Sequence, residues 1–321
     1  FEKKMEAVRA VLAVPAPPEK SDLLSFSPED VSKQLTLADH AMFCRIRISE
    51  LLFENWTKED KWTNAPNVCK MELRFDAIGQ WVANLILDIA MERRVAAISF
   101  FIDLANCLQI AKNYFASIAV AITLRSEPIS RLTQTWEKID SERMQKLDKL
   151  WELFSGENNH SNYRELLHRA RPPCVPFLGL LLRDLTEVEH TQEDYIDGLI
   201  NFEKRIKMGK ALMKVKQFQA VNFRFEPKND LLWQVVHIPK EDHALSSRFL
   251  TLSRTIEPDD PEKMVEELLM KDKAIKSELL DIENQLDRFA IGIAELEKEN
   301  KLLESNLHQM RCSDTNKPSS L

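Results

Sequence analysis

The 321-residue chain carries 51 acidic against 44 basic side chains, a net charge of −7, and that balance argues against nucleic acid, because phosphate contacts need clustered Lys and Arg. Only six residues are Gly, about a quarter of the usual ~7% usage, and the sequence holds no G-x-x-x-x-G-K-[ST] phosphate loop, no G-x-G-x-x-G fingerprint and no G-x-S-x-G elbow. With 44% hydrophobic residues to build a core, a Gly-poor chain rich in Leu, Ala, Glu and Lys is expected to be all-α.

Residues 1–26 read as an N-terminal segment. A short helix is expected within 1–14, then a stiff connector at 15–19, where Pro15, Pro17 and Pro18 lack the N–H a helix needs. Over 26–34, Ser27 can cap a helix, Pro28 suits its first turn, and Glu29 and Asp30 favour its positive end. Residues 68–91 place Met71, Phe75, Ile78, Val82, Leu85 and Ile89 at spacings of three and four, one core-facing stripe. Residues 96–110 and 114–124 are apolar on most faces, which predicts central, buried helices. Pro172, Pro173 and Pro176 end one helix and set up the next, predicted at 177–185. Residues 223–225 and 235–238 are the ambiguous stretches, readable as helix or strand. No run approaches the ~18–20 apolar residues of a membrane span.

The composition changes after Glu257-Pro258-Asp259-Asp260-Pro261. Residues 262–311 lack Pro and read as a coiled-coil helix, with 312–321 as a disordered tail. Counting heptads from Leu279 puts Leu279, Leu286, Ile293, Asn300 and Leu307 at a, and Ile282, Phe289, Leu296, Leu303 and Met310 at d. Nine of ten core positions are apolar, a narrow seam of coiled-coil period. Asn300 pairs best with its own copy across a parallel dimer, fixing register. The alternative is one long helix that folds back on the domain.

Five cysteines, odd in number and never spaced C-x-x-C, suit a reducing cytoplasmic compartment better than a disulfide framework or zinc ribbon. His160 and His168 are eight apart, His237 and His243 six. Neither pair fits the i, i+4 spacing of H-E-x-x-H, so no metal and no cofactor are expected. Lys204, Arg205, Lys207, Lys210, Lys214 and Lys216 form the densest basic stretch. Its ordinary reading is a solvated helix face opposite Phe202, Ile206 and Met213. The residues alone thus define a helical domain with a dimerising tail, and no reaction.

Several blocks in order add a resemblance. Ser27-Pro28-Glu29-Asp30-Val31, Trp56-Thr57-Lys58-Glu59-Asp60, Ala65-Pro66-Asn67-Val68 and Arg74-Phe75 come first. Arg131-Leu132-Thr133-Gln134-Thr135-Trp136 and Asn162-Tyr163-Arg164 follow. The most specific block is Pro172-Pro173-Cys174-Val175-Pro176-Phe177-Leu178-Gly179, with Asp184-Leu185-Thr186, Ile196-Asp197-Gly198-Leu199-Ile200-Asn201-Phe202 and Ile256-Glu257-Pro258 behind it. This succession, over residues 27–258, resembles the catalytic domain of Ras-family guanine-nucleotide exchange factors, the RasGEF family.

The resemblance implies an all-helical bowl with a protruding helical hairpin, its arms near 177–190 and 200–219. It implies a partner, a small GTPase of the Ras, Rap or Ral type gripped by its switch regions, and GDP release without covalent chemistry. It places Phe177 at the switch-binding pocket, where the plain reading is a core aromatic after Pro176. Glu72, Leu73 and His160 fall at further contact positions. Thr186 falls where the hairpin faces the Mg²⁺ site, the plain reading being a surface Thr. Asn201 joins the exchange machinery by the same likeness, and Leu182, Asp184, Leu185, Lys204 and Arg205 join the GTPase-binding surface. Two blocks depart from the family. Its Glu-Gly-Asn-Pro is here His190-Thr191-Gln192-Glu193, with Glu189 one residue earlier as a substitute acid, and its Asn-Asn-Phe-Asn is Asn113-Tyr114-Phe115-Ala116. Membranes that bear the GTPase are the expected site of recruitment.

Overall fold

In a computed structural model the protein is described over residues 9–15, 22–88, 90–239, 245–259, 269–286 and 288–290, and at 293, 296, 298, 301 and 303. The chain divides into two units, 1–257 and 258–321. Unit one is all-α: α1 (Pro28–Phe43), α2 (Pro66–Leu87), α3 (Met91–Ile110), α4 (Tyr114–Leu124), α5 (Ser141–Phe154), α6 (Glu157–Arg169), α7 (Leu178–Thr191), α8 (Phe202–Phe218), α9 (Asn229–Val236) and α10 (Leu245–Ile256). Between α7 and α8 lie two-residue strands, β1 (Tyr195–Ile196) and β2 (Leu199–Ile200), paired antiparallel.

The predicted start of α1 is found as written in the sequence. Ser27 Oγ accepts from Asp30 N at 3.1 Å, with Pro28 in the first turn and Glu29 and Asp30 beside the positive helix end. The stripe of α2 buries Met71, Ile78 and Val82 fully, with Phe75 and Leu85 half-buried. It ends at Leu87, earlier than its periodicity suggests, and Met91 opens α3 instead; Ile89 lies outside the described residues. An acid from outside the helix starts α2. The buried carboxylate of Glu50 accepts from Asn67 N at 2.7 Å, Asn67 Nδ2 at 2.8 Å and Val68 N at 3.3 Å. Burial works to raise the pKa of Glu50, but the bonds from Asn67 and Arg47 outweigh it and hold the carboxyl below its ordinary value.

α3 is the hub, packed by α4, α1, α5 and α2, and α4 is buried nearly throughout, as helices apolar on most faces are expected to be. Ala116 is wholly buried, so its position in the altered Asn-x-Phe block takes no part in a surface contact here. The first Asn of that block is structural: Asn113 Oδ1 accepts from Ala116 N at 3.1 Å, and its Nδ2 donates to Asp39 at 2.8 Å. Asp39 also accepts from Arg74 Nε at 2.9 Å, with both side chains buried, which ties α1, α2 and α4 together. Desolvation pushes the Asp39 pKa up, against the pull of Arg74.

The ambiguous 235–238 stretch is helix through Val236, while 223–225 is neither helix nor strand, with Phe223 stacked on Phe225 at 5.4 Å. The hydrogen-bonded strands lie elsewhere, at the Asp197-Gly198 turn, where both residues have positive φ (50° and 76°). Glu257 closes the unit: its buried carboxylate accepts from Gln134 N (2.9 Å), Thr135 N (3.0 Å) and Thr135 Oγ1 (2.7 Å).

In unit two, residues 269–286 are helical, as are the separate described positions through 303. Leu279, Ile282, Leu286, Phe289, Ile293, Leu296 and Leu303 are between 53% and 69% exposed. Asn300 and Leu307 lie outside the described residues. Among the described residues no helix is long and apolar enough to cross a membrane.

Candidate functional site

α7, the β1–β2 turn and α8 form a helical hairpin whose close backbone approaches are chiefly between its own arms. The arms begin and end within two residues of the expected spans. The root is fixed by aromatic packing. Phe177 N–H donates to the hydroxyl of buried Tyr163 at 2.7 Å, and burial keeps that phenol neutral far above its ordinary pKa. The half-buried Phe177 ring sits 5.5 Å from Phe75 of α2. It also lies over Gly179, where an added Cβ would stand 2.7 Å from Phe177 Cζ. The glycine of the Pro-Phe-Leu-Gly block is thus explained by a ring laid across the first turn of the arm.

Along α7, Leu178, Leu180, Leu182 and Leu185 are buried. Leu182 and Leu185 were expected to meet a partner. In the structure both lie on the buried stripe of the amphipathic α7. Asp184 is committed as well: Arg164 Nη1 and Nη2 grip its carboxylate at 2.7 and 2.6 Å, while Arg164 Nε donates to Asn159 O at 2.7 Å. This fork holds a strained segment, Asn158, Asn159 and His160, all left-handed (φ 47°, 56°, 58°), a conformation costing roughly 1–2 kcal/mol per residue. Arg183 of α7 bonds to Asn159 too. His160, half-buried, is therefore held beside the first arm.

The far end of the hairpin is knotted by polar groups. Asn201 Oδ1 accepts from Lys204 N at 3.2 Å and starts α8, its Nδ2 donates to Glu193 O at 2.9 Å, and its N–H reaches Asp194 O at 2.9 Å. The nearly buried Lys204 Nζ lies 3.0 Å from Asp194, 3.4 Å from Glu189 Oε2, and donates to Glu189 O at 3.3 Å. Arg205 shares Asp194 at 2.7 Å; the bond from Lys204, with both nearby cations, holds the Asp194 carboxyl below its ordinary pKa. Asn201, expected in the exchange machinery, and Lys204, expected on the GTPase-binding surface, both bond within the hairpin. A buried ammonium needs anions on its own chain. Asp194 is the residue that spacing did not single out; the Asp-Gly pair just downstream was the available signal.

Four expected residues remain, His190, Thr186, Glu72 and Leu73. His190 is exposed, its Nε2 3.1 Å from the carboxylate of Glu54 in the loop before α2. Thr186 is half-buried on α7. Glu72 and Leu73 are half-buried on α2, Glu72 one turn from the Phe75 that touches Phe177, and burial raises the Glu72 pKa, with Asp76 adding and Lys61 opposing. At the tip, Tyr195, Ile196, Leu199, Ile200 and Phe202 stand in solvent.

Among the described residues no group of His, Cys, Asp or Glu could hold a metal ion. What the surface offers is a root of half-buried aromatic and acidic groups beside a standing helix pair, the makings of a protein-docking domain. The RasGEF domain model matches residues 30–206. The chain is 32% identical over 249 residues to Ras guanine nucleotide exchange factor J of Dictyostelium discoideum, covering 75% of this chain and 30% of that protein. It is 33% identical over 245 residues to Ras guanine nucleotide exchange factor I of the same organism (75% and 29%). With Ras-specific guanine nucleotide-releasing factor 1 of Mus musculus it shares 31% over 201 residues (62% and 16%). The chain belongs to the RasGEF domain family, and it spans less than a third of the length of these relatives.

Proposed function

We propose that the protein is a guanine-nucleotide exchange factor that promotes GDP release from a small GTPase of the Ras, Rap or Ral type. The observation that carries the reading is the hairpin, an arm pair rooted at Phe177 with an exposed apolar tip at Tyr195, Ile196, Leu199 and Ile200, inside a domain matched by the RasGEF model. The GTPase holds GDP through phosphate-loop N–H groups, a Lys and Mg²⁺. A protein that binds the nucleotide-free form more tightly must, by linkage, weaken nucleotide binding. The hairpin acts as the wedge on the first switch, with Thr186 toward the Mg²⁺ site and Glu189 or His190 toward the phosphates. Phe177, Glu72, Leu73 and His160 grip the second switch. No bond is made or broken, and ~10⁴-fold faster release requires about 5.5 kcal/mol of barrier lowering. The working compartment is the cytoplasm, at membranes that carry the GTPase.

The exposed a and d side chains of the C-terminal helix support a parallel homodimer through 279–310, registered by Asn300. Stopped-flow release of fluorescent GDP from a Ras, Rap and Ral panel tests the exchange reading; no acceleration at micromolar protein overturns it. Light scattering tests the dimer, and a monomeric mass at tens of micromolar overturns it. A second reading, a GTPase-binding scaffold without exchange activity, draws on one feature: Glu189 is bound to Lys204 and His190 to Glu54. Equal wild-type rates for Glu189→Ala and His190→Ala would remove both side chains from the phosphate-loop role.

A further inference from the structure

A cavity of about 200 Å³ opens at the root of the hairpin, walled by α6, α7 and α8. Its lining is largely apolar, with Phe177, Leu181, Val215 and Phe218 among the walls, and its charges do not balance. Asp184, the one carboxylate in the lining, is taken up by both terminal nitrogens of Arg164. Two basic groups are left over. Lys214 and His168 line the cavity, and neither makes a hydrogen bond or ion pair among the described residues. His168 is exposed and sits at the mouth, whereas Lys214 is half-buried with its ammonium 5.9 Å from the Phe218 ring centroid. Desolvation lowers the Lys214 pKa, the mark of a cation short of water and of an anion. A desolvated ammonium over an aromatic wall gains most from a single carboxylate that arrives with an apolar body to cover the wall.

We infer that this cavity binds a small monoanionic amphiphile, a carboxylate carrying a short hydrocarbon chain, with its head on Lys214 and His168 and its body between the two arms. The size argues for a short chain: ordinary ligand pockets run from ~300 to 1,000 Å³, and this one is smaller. Because the walls come from both arms and from the helix whose Arg164 grips the first arm, an occupant bridges all three and fixes the inclination of the hairpin. Binding itself does not depend on the exchange reading; only that regulatory consequence rests on it.

The test is calorimetric titration of the full chain with octanoate and with octan-1-ol, which share a body and differ in the head. The expected result is one octanoate per chain, bound at least tenfold more tightly than the alcohol. Lys214→Met, which keeps the stem and loses the charge, should abolish that preference, and Lys214→Arg should retain it. Ala211→Phe, which fills the cavity, should weaken both ligands. Circular dichroism checks the fold of each variant, and Lys214→Gln replaces Lys214→Met if the latter does not fold. Equal affinity for the two ligands, a preference that survives loss of the Lys214 charge, binding untouched by Ala211→Phe, or non-saturating uptake at several equivalents would each overturn the assignment. Nucleotide release is read separately, so a chain that binds octanoate but does not accelerate GDP release from the GTPase panel would refute the exchange reading and leave this one standing.

Discussion

Lys204→Met separates two accounts of the hairpin. Lys204 is only 2% exposed and holds Asp194 at 3.0 Å and Glu189 at 3.4 Å. Removing one member of a fully buried ion pair costs ~3–5 kcal/mol because the partner charge is stranded. Here the stranded groups are not sealed: the Glu189 and Asp194 side chains are 20% and 45% exposed, and Asp194 keeps Arg205 at 2.7 Å. Water and Arg205 therefore recover much of the loss, and about 1–2 kcal/mol is the expected cost. At ~2–4 °C per kcal/mol for a domain of this size, calorimetry should show a melting temperature lower by about 2–8 °C. Hydrogen exchange should show loss of protection in the first turn of α8, where Lys204 N bonds to Asn201. If Lys204 served a partner instead, the substitution would weaken binding to nucleotide-free GTPase and leave melting and protection as in the wild type. That second pattern would refute the internal-knot reasoning.

Asp39→Asn is expected to destabilise unit one by about 3 kcal/mol, since it leaves the Arg74 guanidinium buried without an anion; urea midpoints at constant m measure it. For Glu50, whose folded pKa is depressed, the linked stability is complete above the unfolded value and is lost as pH falls through the folded one. The urea midpoint of the wild type should drop between pH 6 and pH 3.5 by more than that of Glu50→Gln, and equal drops would assign the acid sensitivity elsewhere. Gly198→Val should cost roughly 1–2 kcal/mol through its positive φ alone, because an added Cβ there meets no atom within 4 Å. Exchange at the β1–β2 amides should register that change. Leu286→Lys with Leu296→Lys, both on the exposed stripe of the C-terminal helix, should convert a dimeric mass to a monomeric one in light scattering.

The helices of the body were legible because each carries a local signal: the Ser27-Pro28-Glu29-Asp30 start, the three-four spacing of α2, and the apolar content of α3 and α4 on most faces. The early stop of α2 was not, since residues 68–91 keep their hydrophobic period across the break. The hairpin arms were placed through the family likeness, but the burial of their side chains was not legible there. Leu182, Leu185 and Lys204 were assigned to the GTPase-binding surface, and Asn201 to the exchange machinery, by likeness alone, through the characteristic blocks they stand in. A block of this kind is equally marked by what it does inside the fold, here the packing stripe of α7 and the cap and buried ammonium of α8. Asp194, Glu50 and Glu257 act over gaps of 10, 17 and 122 residues, and no periodicity reports contacts at such separations. Tyr195, Ile196, Leu199 and Ile200 alternate too briefly for a strand to be read, although Asp197-Gly198 between them is a hairpin turn signal.

The carboxylate of Glu257 has a consequence for how the domain comes into being. The amides of Gln134 and Thr135 wait for an acid that is synthesised 122 residues later, so a ribosome must deliver almost the whole of unit one before that corner can shut. A truncation ending at Ile256 would spare every helix of unit one and still leave the corner unlatched. The structural edge of unit one is thus set by a single anion one residue past its last helical turn.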